Sequence, residues 1–122
     1  MTESILIIDD EEDVRAIAQM GLEMAAGWHV ITAGSGKEGL QLAESKQPNV
    51  ILLDLMMPDW DGKETLKQLK LNRNTAKIPV ILMTAKTQSA IAVELKQLDL
   101  AGVIIKPFRP LQLPEKIHKI LM

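Results

Sequence analysis

Residues 50–58 read VILLDLMMP, a continuous apolar run that ends in an acid and is followed shortly by a proline. A short run of Val, Ile and Leu without polar alternation is typical of a strand that is buried on both faces. Within this stretch we place the strand at residues 50–53. Comparable runs lie at residues 5–8, 28–32, 80–83 and 103–105. The five runs predict five strands of a parallel sheet that is covered by helices.

Between these runs, apolar side chains recur at the three- and four-residue steps of a helix. Such patterns occupy residues 14–25, 40–43, 65–69, 91–98 and 113–121. Strand and helix therefore alternate five times. This alternation predicts an α/β fold: a doubly wound five-stranded parallel sheet with five helices and right-handed crossovers.

Polar residues mark two of the predicted helix starts. Ser35 with Glu38, and Asp61 with Glu64, have the spacing of a capping box, in which the first side chain accepts a bond from the third amide. Residues 34–39, GSGKEG, also match the spacing of a dinucleotide-binding loop. A dinucleotide-binding loop would follow the first strand, whereas this segment follows the second. We therefore interpret the segment as a capped helix start.

Glycine and proline mark other helix boundaries. Gly27 and Gly102 follow helical stretches, where a glycine in the left-handed conformation can end a helix. Pro110 suits the first position of the last helix, because its missing N–H is not needed there. Pro114 would then remove a hydrogen bond from the first turns, so the helix begins either at Pro110 or near Pro114.

Composition limits the classes of function. The chain has 122 residues, of which 47% are apolar and 25% charged, and these values fit one globular domain. The net charge of −2 gives no basic surface for nucleic acid or membrane. The absence of cysteine excludes disulfides and thiolate chemistry. Residues 5–8 are too short for a signal core or a membrane span, so we expect a cytoplasmic protein. We also expect one domain over residues 1–122 and no output domain in this chain.

Charged and hydroxyl side chains follow four of the five predicted strands. Asp9 and Asp10 follow the first strand, Asp54 the third, Thr84 the fourth and Lys106 the fifth. The carboxyl ends of parallel strands meet at one edge of the sheet, which is where such folds bind ligands. Any one of the acids could instead be a helix cap, but the five residues together favour a site.

Three carboxylates in one crevice repel each other and therefore favour a bound cation. Two charges about 4 Å apart interact with roughly 4 kcal/mol at an effective dielectric near 20. Oxygen ligands without His or Cys favour a hard ion, and we expect Mg²⁺. A carboxylate, a metal, an ammonium and a hydroxyl are the groups that stabilise an in-line phosphoryl transfer.

The segments that carry these residues resemble the signatures of response-regulator receiver domains of the chemotaxis-regulator type. They are Asp9-Asp10, Asp54-Leu55-Met56-Met57-Pro58 followed by Asp61-Gly62, Met83-Thr84-Ala85, and Lys106-Pro107-Phe108. Asp54 follows Asp10 by 44 residues, Thr84 follows Asp54 by 30, and Lys106 follows Thr84 by 22. The resemblance covers residues 4–121 and implies a flavodoxin-like sheet of order 2-1-3-4-5.

The resemblance also implies the metal ligands and the phosphodonor. Asp54 would be the nucleophile that accepts a phosphoryl group from a histidine kinase or a histidine phosphotransfer protein. Asp10 would bind Mg²⁺ directly and Asp9 through a water molecule. Asp54 itself and the backbone carbonyl of Met56 would complete the protein ligands.

Further roles follow from the same resemblance. Thr84 would move toward the phosphoryl group, and Lys106 would pair with it. The bond between Lys106 and Pro107 is usually cis in this family. Phosphorylation would shift the surface of the predicted fourth helix, fifth strand and fifth helix, through which family members bind a protein partner or dimerise. The chain would thus be a monomer or a phosphorylation-dependent dimer.

Three positions depart from the family pattern. Val103 stands where many relatives carry an aromatic switch residue, so the Thr84 part of the switch would act without it. Met56 and Lys86 occupy the positions that line the path of the attacking water, and neither offers a carboxylate or an amide to orient it. We therefore predict a slowly hydrolysed acyl phosphate.

Two other functions compete with a phosphorylation switch. A Mg²⁺-dependent phosphohydrolase of the haloacid type would need an acid two residues after Asp54, where Met56 stands. An interaction module that no longer responds to phosphate is favoured by Val103. The acidic pair, Thr84 and Lys106 argue against that module. The sequence therefore favours a phosphoacceptor regulator rather than an enzyme.

Overall fold

The computed structural model describes residues 3–85 and 99–122, which contain a five-stranded parallel sheet. The strands are β1 (Ser4–Ile8), β2 (His29–Ala33), β3 (Val50–Asp54), β4 (Val80–Thr84) and β5 (Gly102–Ile105). Their order across the sheet is β2-β1-β3-β4-β5. The α/β class, the parallel pairing and the strand order implied by the resemblance are confirmed.

Four α-helices lie in the described ranges. They are α1 (Glu12–Ala26), α2 (Gly36–Lys46), α3 (Gly62–Leu71) and α4 (Leu113–Leu121), with a 3-10 turn at Pro110–Gln112 before α4. The helix predicted at residues 91–98, the fourth of the five along the chain, lies outside the described residues. No helix within the described ranges has the length and apolar character needed to cross a membrane.

The core consists of two apolar layers, one on each face of the sheet. Leu6 and Ile8 of β1 pack with α2 and α3, whereas Ile5 and Ile7 pack with α1 and α4. These four side chains are fully buried, which is why the strand shows no polar alternation. Burial of each such side chain stabilises the fold by about 1.5–3 kcal/mol.

The predicted capped starts of α2 and α3 are confirmed. Ser35 Oγ accepts from the N–H of Glu38 at 3.2 Å, and Asp61 Oδ1 accepts from the N–H of Glu64 at 2.9 Å. The Glu38 carboxylate reaches back one residue further than a capping box requires, to the N–H of Gly34 at 2.6 Å. The glycine-rich segment is therefore a helix start, as interpreted from its position.

The end of α1 explains a shifted strand boundary. Gly27 adopts φ 66° and ends the helix, as predicted. The N–H of Trp28 still donates to the Leu22 carbonyl at 3.3 Å, and its buried side chain packs under the helix. Trp28 therefore belongs to the helix end, and β2 begins at His29 rather than at the predicted residue 28.

The predictions at the other two boundaries had different outcomes. Among the glycines of the described ranges, Gly27 alone has a positive φ, so the left-handed cap predicted at Gly102 is wrong. Gly102 opens β5 instead, where a Cβ would lie 2.5 Å from the side chain of Ile120. Pro110 belongs to the 3-10 turn, and α4 begins at Leu113, so the alternative start near Pro114 is correct.

Candidate functional site

Three carboxylates meet at the carboxyl edge of the sheet. Asp9 and Asp10 directly follow β1, and Asp54 is the last residue of β3. These strands are neighbours, with Ile8 paired to Leu53, so their ends lie side by side. One carboxylate oxygen from each acid lies within 4.8 Å of the others. The sequence prediction that these acids converge is therefore matched by the geometry.

Lys106 joins two of these acids from the far side of β4. Its Nζ donates to Asp9 Oδ2 at 2.9 Å and to Asp54 Oδ1 at 3.2 Å. Its backbone N–H donates to the Thr84 carbonyl at 2.8 Å, which fixes the start of the segment after β5. The bond from Lys106 to Pro107 is cis, as the resemblance implied. One ammonium thus holds both buried carboxylates.

Burial and charge shift the pKa values of this cluster. Burial, then repulsion by Asp9, raises the pKa of Asp54 from 3.8 to about 6, although Lys106 lowers it. Burial lowers the pKa of Lys106, but its hydrogen bond to Asp9 and the attraction of Asp54 and Asp9 outweigh that effect. The Lys106 pKa therefore lies above its ordinary value. At neutral pH the cluster contains an ionised Asp54 beside a protonated lysine.

Thr84 and Met56 border Asp54 in different ways. Thr84 ends β4 and is buried, one residue beyond Met83, the strand partner of Asp54. The Met56 side chain is exposed, and its backbone N–H donates to Asp54 Oδ1 at 3.4 Å. The positions suit the roles implied for these residues, which stay predictions.

The two remaining predicted positions differ in what the structure describes. Val103 lies in β5 opposite Leu82 and packs, partly buried, against the core layer of α2 and α3. The absence of an aromatic switch residue at this position, noted from the sequence, stays a prediction about how the domain switches. Lys86 lies outside the described residues, so its role beside the attacking water stays a prediction.

The donor set fits a divalent cation. Three acids supply only oxygen ligands, and hard cations such as Mg²⁺ prefer these. Within the described residues, Lys106 contributes one ammonium against three carboxylates, which leaves a surplus of negative charge in the crevice. Asp10 is exposed, unlike Asp9 and Asp54, so water can complete the coordination. The acidic pocket can therefore bind a divalent metal.

An apolar cavity of about 340 Å³ opens beside Lys106. Its other lining residues come from α1, from the end of β4 and from the segment after β5: Val14, Ile17, Ala85, Pro107 and Phe108. Ile17 is 43% exposed, although it shares the helical spacing of the apolar residues in the segment 14–25. The surface next to Lys106 is therefore apolar on the α1 side.

Arg15 is a residue of this edge that the sequence did not identify. Its Nη1 donates to the backbone carbonyl of Asp9 at 2.6 Å. The signal that could have identified it is its place one turn after Glu11, in the helix that directly follows the acidic pair. Because its partner is a backbone carbonyl, no pairing of residue types marks the contact in the sequence.

Comparison with known proteins gives consistent matches. The family model of the response regulator receiver domain matches residues 5–118. The chain is 36% identical over 121 residues to the alkaline phosphatase synthesis transcriptional regulatory protein PhoP of Bacillus subtilis. This alignment covers 99% of this chain and 49% of PhoP. It is 32% identical over 118 residues to the phosphate regulon transcriptional regulatory protein PhoB of Pseudomonas aeruginosa, covering 97% of this chain and 51% of that protein. It therefore spans about half the length of both relatives.

Solved structures agree with these matches. The chemotaxis response regulator CheY4 of Vibrio cholerae superposes with a TM-score of 0.90 at 28% identity, covering 99% of this chain and 100% of that one. The N-terminal domain of a response regulator receiver protein from Methanoculleus marisnigri gives 0.75 at 32% identity, covering 99% and 98%. With the fold, the acid cluster and the lysine in place, the chain belongs to the family of response regulator receiver domains.

Proposed function

We propose that this domain is a phosphorelay acceptor, in which Asp54 takes a phosphoryl group from a phosphohistidine. The donor would be a histidine kinase or a histidine phosphotransfer protein. The observation that supports this most directly is the ammonium of Lys106, which contacts Asp9 and Asp54 within a cluster of three acids. Such a cluster joins a nucleophile to positive charge, which phosphoryl transfer requires.

The transfer forms an oxygen–phosphorus bond at Asp54 and breaks the phosphorus–nitrogen bond of the donor, whose imidazole nitrogen then takes a proton. In the described part of the chain, Lys106 and the N–H of Met56 both donate to Oδ1 of Asp54. We therefore assign the attack to Oδ2. The raised pKa of Asp54, about 6, still leaves the carboxylate mainly ionised at neutral pH.

Asp10, Asp9, Asp54 and the carbonyl of Met56 would hold Mg²⁺ at this edge. When bound, Mg²⁺ neutralises charge on the phosphoryl oxygens. Lys106 would move its ammonium from the acids toward the phosphoryl group, and Thr84 would donate its hydroxyl to it. The chain itself would assist only its own phosphorylation and slow dephosphorylation, so we propose a regulator and not an enzyme.

The apolar cavity beside Lys106 gives the donor a place to dock. A donor must bring its imidazole to Asp54, so it must also cover the surface beside the crevice. On the α1 side that surface presents Val14 and Ile17, and on the other side Pro107 and Phe108. Apolar walls of this kind favour an apolar patch around the donor histidine.

The phosphorylated form would act on a protein partner, either as a monomer or as a phosphorylation-dependent dimer. A net charge of −2 does not favour direct binding of nucleic acid by this chain. The two relatives named above are transcriptional regulators of about twice its length. Control of such an output through protein contacts is our proposal, and a cytoplasmic location likewise stays a prediction.

The decisive experiment is incubation with acetyl phosphate or beryllofluoride, with and without Mg²⁺, followed by intact mass and fluorescence. The two tryptophans, Trp28 and Trp60, both fluoresce, so fluorescence is read in a Trp28→Phe background. Trp60 is partly exposed and lies in the segment between Asp54 and α3. We expect a Mg²⁺-dependent phosphoryl adduct that is absent from Asp54→Asn.

The other outcomes identify the competing functions. Steady release of phosphate from unrelated phosphomonoesters would indicate a hydrolase. No adduct and no spectral change at saturating Mg²⁺ would indicate an interaction module that does not respond to phosphate. Either result would contradict the proposed phosphorelay function.

Met56 provides a test of the predicted slow hydrolysis. Its side chain is apolar and exposed two residues after Asp54, so it cannot orient an attacking water. Met56→Gln would supply an amide at that position and should shorten the lifetime of the acyl phosphate, measured by loss of label from the purified phosphoprotein. Met24→Gln, an equally exposed change on α1, is the control and should leave the lifetime unchanged. Rapid loss of label from the unmodified chain would contradict the prediction.

A further inference from the structure

We propose that Arg15 is a positioning residue of the metal site, which fixes the direction of Asp10 through the backbone carbonyl of Asp9. This inference rests on the proposed function, because it concerns the same acidic cluster. Arg15 does not touch the reacting groups in the described structure. Its action would be indirect, through the turn that carries the acidic pair.

The acidic pair is anchored unevenly. The Asp9 carboxylate accepts from Lys106 Nζ at 2.9 Å and from the N–H of Glu11 at 2.9 Å. The Asp9 N–H donates to the Ala33 carbonyl at 3.1 Å. Within residues 3–85 and 99–122, by contrast, the Asp10 carboxylate makes no hydrogen bond or ion pair. The direction of Asp10 therefore depends on its backbone.

The bond from Arg15 acts on that backbone. Its Nη1 donates to the Asp9 carbonyl at 2.6 Å. This carbonyl belongs to the peptide plane that also contains the nitrogen and Cα of Asp10, and a peptide plane moves as a unit. Holding the carbonyl therefore limits rotation of the plane and so limits where the Asp10 side chain can point. A charged donor makes such a hydrogen bond short and strong.

A second turn of the same edge holds the guanidinium in place. A Cβ added at Gly34 would lie 3.3 Å from Arg15 Nη1 and 3.7 Å from its Cζ. The guanidinium therefore lies against Gly34, between the turn after β1 and the turn after β2. Gly34 has no positive φ, so alanine there would press on Arg15 without straining the backbone. Its N–H would still donate to Glu38.

If Arg15 acted only through its positive charge, its removal would change the affinity for Mg²⁺ in the opposite direction from the loss of a positioning bond. A positive guanidinium near the crevice repels a dication, so its removal would tighten Mg²⁺ binding if charge alone mattered. Removal of a positioning bond would weaken Mg²⁺ binding, because Asp10 would no longer be held toward the site. The sign of the change therefore separates the two effects.

The test is titration calorimetry with MgCl₂ on the whole chain and four variants. Arg15→Met should raise the Kd for Mg²⁺ about tenfold, as expected when a partner of a metal ligand is removed. Arg15→Lys keeps a charged donor and should recover part of the loss. Gly34→Ala should cause a smaller loss. Lys119→Met removes an exposed cation near the end of α4, and it should leave the Kd unchanged.

Each variant is first melted in EDTA, so that the Kd is compared among folded proteins only. An unchanged or lower Kd for Arg15→Met would overturn the inference. If that variant does not fold, Arg15→Lys and Gly34→Ala decide, and an unchanged Kd in both overturns it. No Mg²⁺ binding by the unmodified chain would instead contradict the proposed function, a result distinct from failure of the Arg15 inference.

Discussion

Asp54 combines burial with the need to carry a negative charge. It is 3% exposed, and burial raises its pKa to about 6. The nearby ammonium of Lys106 limits that rise but does not cancel it. In the absence of metal the ionised residue therefore destabilises the fold, a cost that active sites commonly accept for function.

Replacement of Asp54 by Asn should make the metal-free domain more stable at neutral pH. The folded pKa of about 6 lies above the unfolded value of 3.8, so the folded state binds more protons between these values. The stability of the unmodified chain thus falls as pH rises from about 4 to about 6, and the shift corresponds to about 3 kcal/mol at most. Urea unfolding in EDTA should show a higher free energy of unfolding for Asp54→Asn than for the unmodified chain above pH 6. This difference should disappear near pH 4. A gain independent of pH would contradict this assignment.

Lys106→Met should strongly destabilise the metal-free domain. The change leaves two buried carboxylates without their shared cation, and removal of one partner from a buried pair costs about 3–5 kcal/mol. We expect the loss at pH 7 in EDTA to be smaller in Asp54→Asn, because one of the two carboxylates is then absent. Urea unfolding of the four chains of this double-mutant cycle measures the coupling. Equal losses in both backgrounds would show that Lys106 and Asp54 do not interact.

At the scale of secondary structure, close contact between α1 and the 3-10 turn constrains the fold. A Cβ at Gly21 would collide with the backbone carbonyl oxygen of Pro110 and lie 2.5 Å from its carbonyl carbon. Backbone atoms cannot move aside as a flexible side chain can. Helix α1 and the 3-10 turn before α4 thus meet at a point where only glycine fits.

Gly21→Ala should therefore destabilise the domain although alanine favours helices. Overpacking typically costs about 1–3 kcal/mol, and a clash with backbone atoms belongs to the upper part of this range, above the gain of about 1 kcal/mol in helix propensity. Thermal melting measures the difference. Gly27→Ala is the comparison, since its Cβ would meet no atom within 4 Å and its cost comes only from a φ of 66°. Unchanged or increased stability of Gly21→Ala would contradict the role of this contact.

Elements and site were predictable from the sequence to different degrees. The strands were identified because burial on both faces leaves an unbroken apolar run, as in β3. Trp28 was assigned to a strand because it is apolar. An apolar side chain suits the end of a helix equally well, and Trp28 packs at the end of α1. Gly102 was misassigned because a close approach by Ile120 leaves no local pattern.

The site residues were likewise predictable only in part. Asp9, Asp54 and Lys106 could be brought together from their positions after strands, because parallel strands end at one edge. That one ammonium would contact both acids could not be predicted, since this depends on the path of a long side chain across β4. Arg15 was missed because its partner is a backbone carbonyl.

At the scale of the whole molecule, the sheet brings three acids together at one edge, where they could bind a divalent metal. If Mg²⁺ binds the folded chain alone, a concentration of 100 times its Kd should stabilise the domain by about 2.7 kcal/mol. For a domain of this size that corresponds to a rise in Tm of roughly 10 °C. Melting in Mg²⁺ and in EDTA measures the rise, and Asp10→Asn should abolish it. An equal rise in that variant would mean that the ion binds elsewhere.

The excess of carboxylates at this edge also predicts an order of events. Among the described side chains, the three carboxylates outnumber Lys106 and the nearby guanidinium of Arg15, so a doubly negative phosphodonor would be repelled from the metal-free crevice. A bound dication would offset this excess, and the donor would then meet no net repulsion. We therefore expect ion first and phosphodonor second, a sequence dictated by electrostatics before any bond is made.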